Sequence, residues 1–206
     1  MNPRINENLE KDIRAYFGSS GSGKTYTIKA DISGAARVLV FDPEGSFTSA
    51  DGFTVTESRA EFLERARNSG PVKLCFAAGG IANFEWFCEA VWALADARRP
   101  SVVVVDELGG VTTAGKARGR WYDLISRGRK YGVHIRAGAQ RPSEIDKTLI
   151  GNKNGMFIGY LERAGDIDYI SRETGIDTDV LKGLRGAPYY DCIKYAGRDR
   201  WKKVVK

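Results

Sequence analysis

Short apolar runs alternate with amphipathic stretches along the chain, and the apolar runs predict its strands. Ile13 to Phe17 (IRAYF), Val38 to Phe41, Val72 to Ala77, Val102 to Val105, Val133 to Ala139, Met156 to Tyr160 and Tyr189 to Tyr195 are rich in β-branched and aromatic residues. Several are almost continuously apolar, which implies burial on both faces and therefore a mainly parallel sheet sandwiched by helices. The helical candidates are Thr25 to Ala30, Ala60 to Arg67, Asn83 to Ala97, Arg120 to Tyr131, Ser143 to Ile150 and Asp166 to Glu173, which show helical spacing or good helix formers between turn signals. Strands alternating with helices predict an α/β fold of three layers. With no internal repeat and no long linker, residues 1–206 read as one domain ending in a basic tail at about 194–206.

Composition narrows the class. The 206 residues are 42% hydrophobic, enough for one buried core, and the 24 glycines are scattered instead of forming a tract, which argues against disorder. The first residues do not resemble a secretory leader and no apolar run nears the length of a membrane span, so a soluble, intracellular protein is expected. Cys75, Cys88 and Cys192 lie far apart and His134 is the single histidine, so structural zinc is not expected and the thiols should be buried.

Charge adds a clue about partners. The net charge is +6, and two segments hold the excess: residues 116–130 and 194–206 each carry six basic residues and one acid, which leaves 20 basic and 24 acidic residues elsewhere. Such local positive potential suits a surface that meets a polyanion. Trp121, Tyr122, Tyr195 and Trp201 are interleaved with these charges, where they would be able to stack on bases.

The sharpest signal is Gly18-Ser19-Ser20-Gly21-Ser22-Gly23-Lys24-Thr25, a match to G-x-x-x-x-G-K-[ST] at a junction between strand and helix. The glycines let the backbone curl its N–H groups toward a phosphate, and the new helix adds its positive end. Lys24 would bridge the β- and γ-phosphates of ATP, and the Thr25 hydroxyl is the expected Mg²⁺ ligand. The second half is Ser101 to Glu107 (SVVVVDE), where four valines fill a buried strand and the first charges stand at its C-terminal end. Asp106 is expected to hold Mg²⁺, and Glu107 to orient or deprotonate the water that attacks the γ-phosphate. A third strand ends in Gln140-Arg141-Pro142; Gln140 could sense the γ-phosphate or the water, or else cap the turn that follows. Asp42 and Glu44, after the second strand, either join the nucleotide site or are surface carboxylates.

Together the phosphate loop, VVVVDE, GRKYGVHIRAGAQRPSEID and Val40 to Gly45 (VFDPEG) resemble the FtsK–HerA superfamily of DNA-pumping P-loop ATPases. In length the chain resembles the small genome-packaging ATPases of internal-membrane icosahedral viruses of the PRD1–adenovirus lineage. The resemblance spans about residues 13–160. It implies a RecA-like (ASCE) core in which the strand ending at Gln140 lies between the two nucleotide-site strands, and assembly into a ring, commonly a hexamer. It also implies that Gln140 is the sensor, and that an arginine acting on a neighbouring subunit's nucleotide comes from Arg129, the first choice, or Arg127. Gly109 to Arg120 (GGVTTAGKARGR) reads as a mobile loop that would project into the pore, with Lys116, Arg118 and Arg120 gripping DNA phosphates.

The resulting expectation is an ATP-driven translocase of double-stranded DNA that fills a viral shell, in the host cytoplasm or at the packaging vertex, with capsid-vertex or portal proteins as further partners. Alternatives are an FtsK- or HerA-like pump or a filamentous-phage assembly or export ATPase acting at a membrane, a nucleoside kinase, and a nucleotide-gated assembly protein. A kinase of the thymidine-kinase type would carry a four-cysteine zinc lasso, and this chain has three cysteines.

Overall fold

A computed structural model describes residues 4–197 and 200–205. Nine strands form one sheet: β1 Ile13–Phe17, β2 Arg37–Phe41, β3 Thr54–Thr56, β4 Val72–Phe76, β5 Ser101–Val105, β6 Val133–Ala139, β7 Gly155–Ile158, β8 Cys192–Tyr195 and β9 Trp201–Val204. Their spatial order is β3-β4-β2-β5-β6-β1-β7-β8-β9, parallel throughout except for β8 and β9. The apolar runs lie where burial is deepest. Every residue of β2 is buried, as are six of the seven in β6, while β3 and β9 at the edges are mostly exposed. Parallel pairing satisfies the backbone of the inner strands, and the layers packed on the sheet remove both their faces from water, which continuous apolarity requires.

The helices are α1 Lys24–Asp31, α2 Arg59–Ala66, α3 Ile81–Leu94, α4 Gly119–Arg127, α5 Lys147–Asn152, α6 Ala164–Thr174 and α7 Thr178–Lys182. The core divides across the sheet. One cluster unites alternate strand residues such as Leu39, Phe41, Val103, Val105 and Ile135 with Phe62, Phe84, Phe87, Leu124, Leu149 and Ile170 from five helices. The opposite cluster joins Tyr16, Val38, Val40 and Val104 to Ile28 of α1 and to Phe47 and Phe53 from the loop after β2. The expected sandwich is therefore unequal: α1 and a loop whose two rings meet edge to face cover the second side.

Several boundaries differ from expectation for local reasons. The helix expected from Ser143 begins at Lys147, because the Asp146 carboxylate accepts the Leu149 N–H and caps the helix there. The helix expected over Arg120 to Tyr131 turns into a tight 3₁₀ segment at Gly128–Tyr131. The strand expected from Tyr189 starts at Cys192, since residues 189–191 belong to a turn whose N–H groups bond back to Gly186 and Arg185 carbonyls. Elements without a sequence signal are β3, α7 and β9. Residues 201–204 of the basic tail pair as a strand, with Lys194 opposite Lys202, and an edge carrying lysines resists pairing with other chains. Arg198, Asp199 and Lys206 of that tail lie outside the described residues.

Candidate active site

The phosphate loop leaves the C-terminal end of β1, where parallel sheets open to ligands. It is packed tightly from beneath. A side chain on Gly18 would place its Cβ 2.3 Å from Ser22 Oγ, so the first position admits no side chain. Ser22 turns its hydroxyl inward, buried and without a hydrogen-bond partner among the described residues. The Ser19 N–H bonds to the Tyr160 carbonyl at 2.8 Å, which ties the loop to the end of β7. Beyond it, the first N–H groups of α1 are the unpaired donors that any helix start presents.

Five predicted residues converge in front of α1. Lys24 Nζ donates to Glu107 Oε2 at 2.9 Å and to the Asp106 carbonyl at 3.3 Å. Thr25 Oγ1 lies 3.0 and 3.2 Å from the two carboxylate oxygens of Asp106. The Gln140 backbone N–H reaches the other oxygen of Glu107 at 3.3 Å. β6 lies between β5 and β1, as the resemblance implies, so Glu107 and Gln140 reach the phosphate loop from adjacent strand ends. Ser19, Ser20, Gly21, Ser22, Gly23, Lys24, Thr25, Asp106, Glu107 and Gln140 all line one cleft of about 760 Å³.

Asp106 is 4% exposed. Its pKa is raised from the ordinary aspartate value: burial is the main cause and the nearby Asp42 adds to it, against lowering by the Lys24 charge and by hydrogen bonds from Thr25 and Ser46. A carboxylate short of positive charge beside a hydroxyl is a hard oxygen set suited to Mg²⁺. Among the described residues no three His, Cys, Asp or Glu side chains cluster as a metal cage.

The remaining candidates separate. Glu44 lines the cleft, whereas Asp42, fully buried, caps its own turn by accepting the N–H groups of Glu44 and Phe47 at 3.1 and 2.7 Å. Arg127 and Arg129 lie outside the cleft of their own chain. Arg127 pairs with Asp123 at 3.2 Å, and Arg129 donates to the Glu7 and Leu9 carbonyls at 2.7 and 2.6 Å. The 109–120 segment is pinned: Ala117 N–H bonds to Thr148 Oγ1, and Lys147 N–H to the Gly115 carbonyl. Lys116 and Arg118 are exposed, with Lys116 over the Tyr122 ring, while Arg120 pairs with Glu89 and Asp123. Trp121 is not available for stacking on bases; it is buried and its indole N–H bonds to Asp146 at 2.9 Å.

Sequence reasoning missed Gly138 and Ser46. A Cβ at Gly138 would sit 2.3 Å from the Asp106 carbonyl, so this glycine lets the two strand ends close on each other. A glycine inside a buried strand is itself a signal of such an approach. Ser46 carries no comparable signal.

The fold is that of a RecA-like P-loop NTPase core. No family model matches the chain. It is 33% identical over 174 residues to Protein P9 of Pseudoalteromonas phage PM2, covering 83% of this chain and 78% of that protein. Among solved structures, the genome-packaging NTPase B204 of Sulfolobus turreted icosahedral virus 2, in complex with AMPPCP, superposes with a TM-score of 0.72 at 16% identity, covering 100% of this chain and 98% of that one. The N-terminal domain of zonular occludens toxin from Neisseria meningitidis does so with 0.51 at 12% identity, over 95% and 93% of the chains. The chain belongs to the family of Protein P9 of phage PM2.

Proposed function

We propose that the chain is the ATP-hydrolysing motor that moves double-stranded DNA into a viral shell, working as a homomeric ring in the infected cell and at the packaging vertex. The observation that carries this reading is the convergence of Lys24, Thr25, Asp106, Glu107 and Gln140 on one cleft. Lys24 stands where it can transfer its ammonium from Glu107 to an incoming γ-phosphate. Glu107 is then free to hold the attacking water, and Gln140 lies close enough to register it. Thr25 and Asp106 would hold Mg²⁺, which supplies neutralisation of charge on the phosphate oxygens. The full-length match to a packaging NTPase supports the viral setting over the membrane-bound pumps.

An arginine serving a neighbouring subunit must lie away from its own cleft, and Arg127 and Arg129 both do. Arg127 is the more exposed, with a single ion pair, so it takes precedence over the doubly anchored Arg129. Lys116, Arg118 and Arg120 remain the proposed duplex contacts, with Arg120 first leaving Glu89 and Asp123.

Phosphate release measured with and without duplex DNA tests the reading. Mg-ATP hydrolysis should rise on adding duplex, and the stimulation should fall steeply with salt, because counterion release dominates contacts with the DNA backbone. Replacing Lys116, Arg118 and Arg120 together should remove the stimulation. Hydrolysis indifferent to duplex at low salt would leave an assembly switch in place of a pump.

A further inference from the structure

The cleft has two chemically different sides. In the sheet order, β1 and the phosphate loop separate the ends of β2 and β5 from those of β7 and β8. On the β2 and β5 side stand Glu44, Ser46, Asp106 and Glu107; on the β7 and β8 side stand Phe157 and Tyr190. Metal and phosphates belong with the acids and hydroxyls. What remains for a nucleotide is its base and ribose, and they face the rings.

Tyr190 is the most unusual residue on that side. Its φ of 51° is the one left-handed backbone at a non-glycine among the described residues. A bulky side chain holds that conformation only where its surroundings impose it. Here the surroundings are specific. The Tyr190 N–H bonds to the Gly186 carbonyl at 3.0 Å and the Ala187 N–H to the Gly21 carbonyl at 3.2 Å, so the turn is stitched to the phosphate loop. Asp191, buried, locks the base of the turn through Arg185 at 2.7 Å. The result sets the Tyr190 ring against Gly23, where a Cβ would meet ring carbon Cδ1 at 3.3 Å. One side of the ring rests on the loop, yet the residue keeps 40% of its surface exposed and lines the cleft.

We infer that Tyr190 is the stacking wall for the purine base of the bound nucleotide, held in place by the 185–191 turn, with Phe157 lining the same side of the cleft. This rests on the nucleotide reading of the cleft and adds the residue that binds the nucleoside half. A flat, amphipathic ring beside the helix start gives the base a π-face while the triphosphate wraps the loop.

Calorimetric titration of the full chain with Mg-ATP and, separately, Mg-tripolyphosphate tests it. Tyr190→Gly removes the ring while accepting the left-handed backbone, and Tyr190→Phe keeps the ring. Tyr190→Gly is expected to weaken Mg-ATP about tenfold, the loss of one stacked base, and to leave Mg-tripolyphosphate within about twofold; Tyr190→Phe should retain both affinities. Equal loss for both ligands in Tyr190→Gly would make the ring a mere buttress of Gly23 and overturn the inference. So would unchanged Mg-ATP affinity, or a wild-type chain that holds tripolyphosphate as tightly as ATP. A wild-type chain that binds neither ligand would instead remove the ATPase reading itself.

Discussion

The two ends of β1 bury charge in opposite ways. At the N-terminal end, Arg14 and Arg136 are register partners on adjacent strands, and Asp12 and Asp31 divide between them. Arg136 is buried and pairs with Asp12 at 2.7 Å and with Asp31, which also accepts the Tyr16 hydroxyl at 2.7 Å. Burial alone would raise the pKa of Asp12, but the hydrogen bond and charge of Arg136, with Arg14 beyond, bring it below the ordinary value. His134, beside Asp12, is pushed down mainly by burial, against Asp12, with the two arginines adding to the fall. At the C-terminal end, the one ammonium, Lys24, pairs with the Glu107 carboxylate, and burial raises the pKa of Asp106 against the lowering effect of that nearby charge. A network with a partner for each charge holds the fold together. The cleft keeps a deficit of positive charge, which a metal-bound triphosphate can meet.

The contrast can be broken at either end. Glu107→Gln removes the base while keeping the shape. Turnover should fall about a hundredfold or more with Mg-ATP affinity nearly intact, as read from phosphate release beside equilibrium binding. Wild-type turnover in this variant would deny Glu107 its role. At the other end, Asp31→Ala takes one of its two acids from the buried Arg136 and leaves it sharing Asp12 with Arg14, and a loss of about 1.5–3 kcal/mol is expected in urea unfolding, with Mg-ATP affinity unchanged. An unaltered midpoint would mean that Asp31 carries none of that network.

A smaller effect has the opposite sign. Asp106→Asn relieves a buried carboxylate, so the melting temperature without nucleotide should rise by about 2–4 °C for each kcal/mol recovered, while Mg-dependent turnover is lost. A fall would show that the Asp106 carboxylate stabilises the fold. The smallest effects are in pH dependence. The folded state keeps the Asp106 proton above the unfolded value of 3.8, so its contribution to stability is lost as pH rises from about 3.8 through the raised native pKa. Asp12 has a lowered native pKa; its stabilisation is present above 3.8 and is lost as pH falls through that lower value. Unfolding followed against pH in Asp106→Asn and Asp12→Asn separates the two slopes, and slopes of the same sign would erase the contrast.

Local chemistry made part of this legible. Four consecutive valines ending in Asp106-Glu107, and a glycine-rich turn ending in Lys24-Thr25, each specify their conformation and their reactive atoms within a few residues. The position of β6 between β1 and β5 also followed, through resemblance, from the residues around Gln140. Other features had no local signal. Trp121 sits among basic residues as a stacking aromatic would, yet Asp146, 25 positions later, draws its indole into the core. Residues 189 and 190 are aromatics that read as the start of a strand, but bonds from residues 189–191 to the Gly186 and Arg185 carbonyls make them a turn. The 109–120 segment has the composition of a mobile loop, and bonds to residues 147 and 148 hold it down.

By itself, the amino-acid order determined the α/β class, the phosphate loop and the acid pair, because each depends on periodicity or on neighbours in the chain. Tertiary structure alone decided that Gly138 lets Asp106 approach, that Arg14 and Arg136 share their acids, and that Tyr190 faces the loop across more than 160 residues. Those outcomes depend on which distant atoms fill the space around a side chain, and no local pattern carries that information.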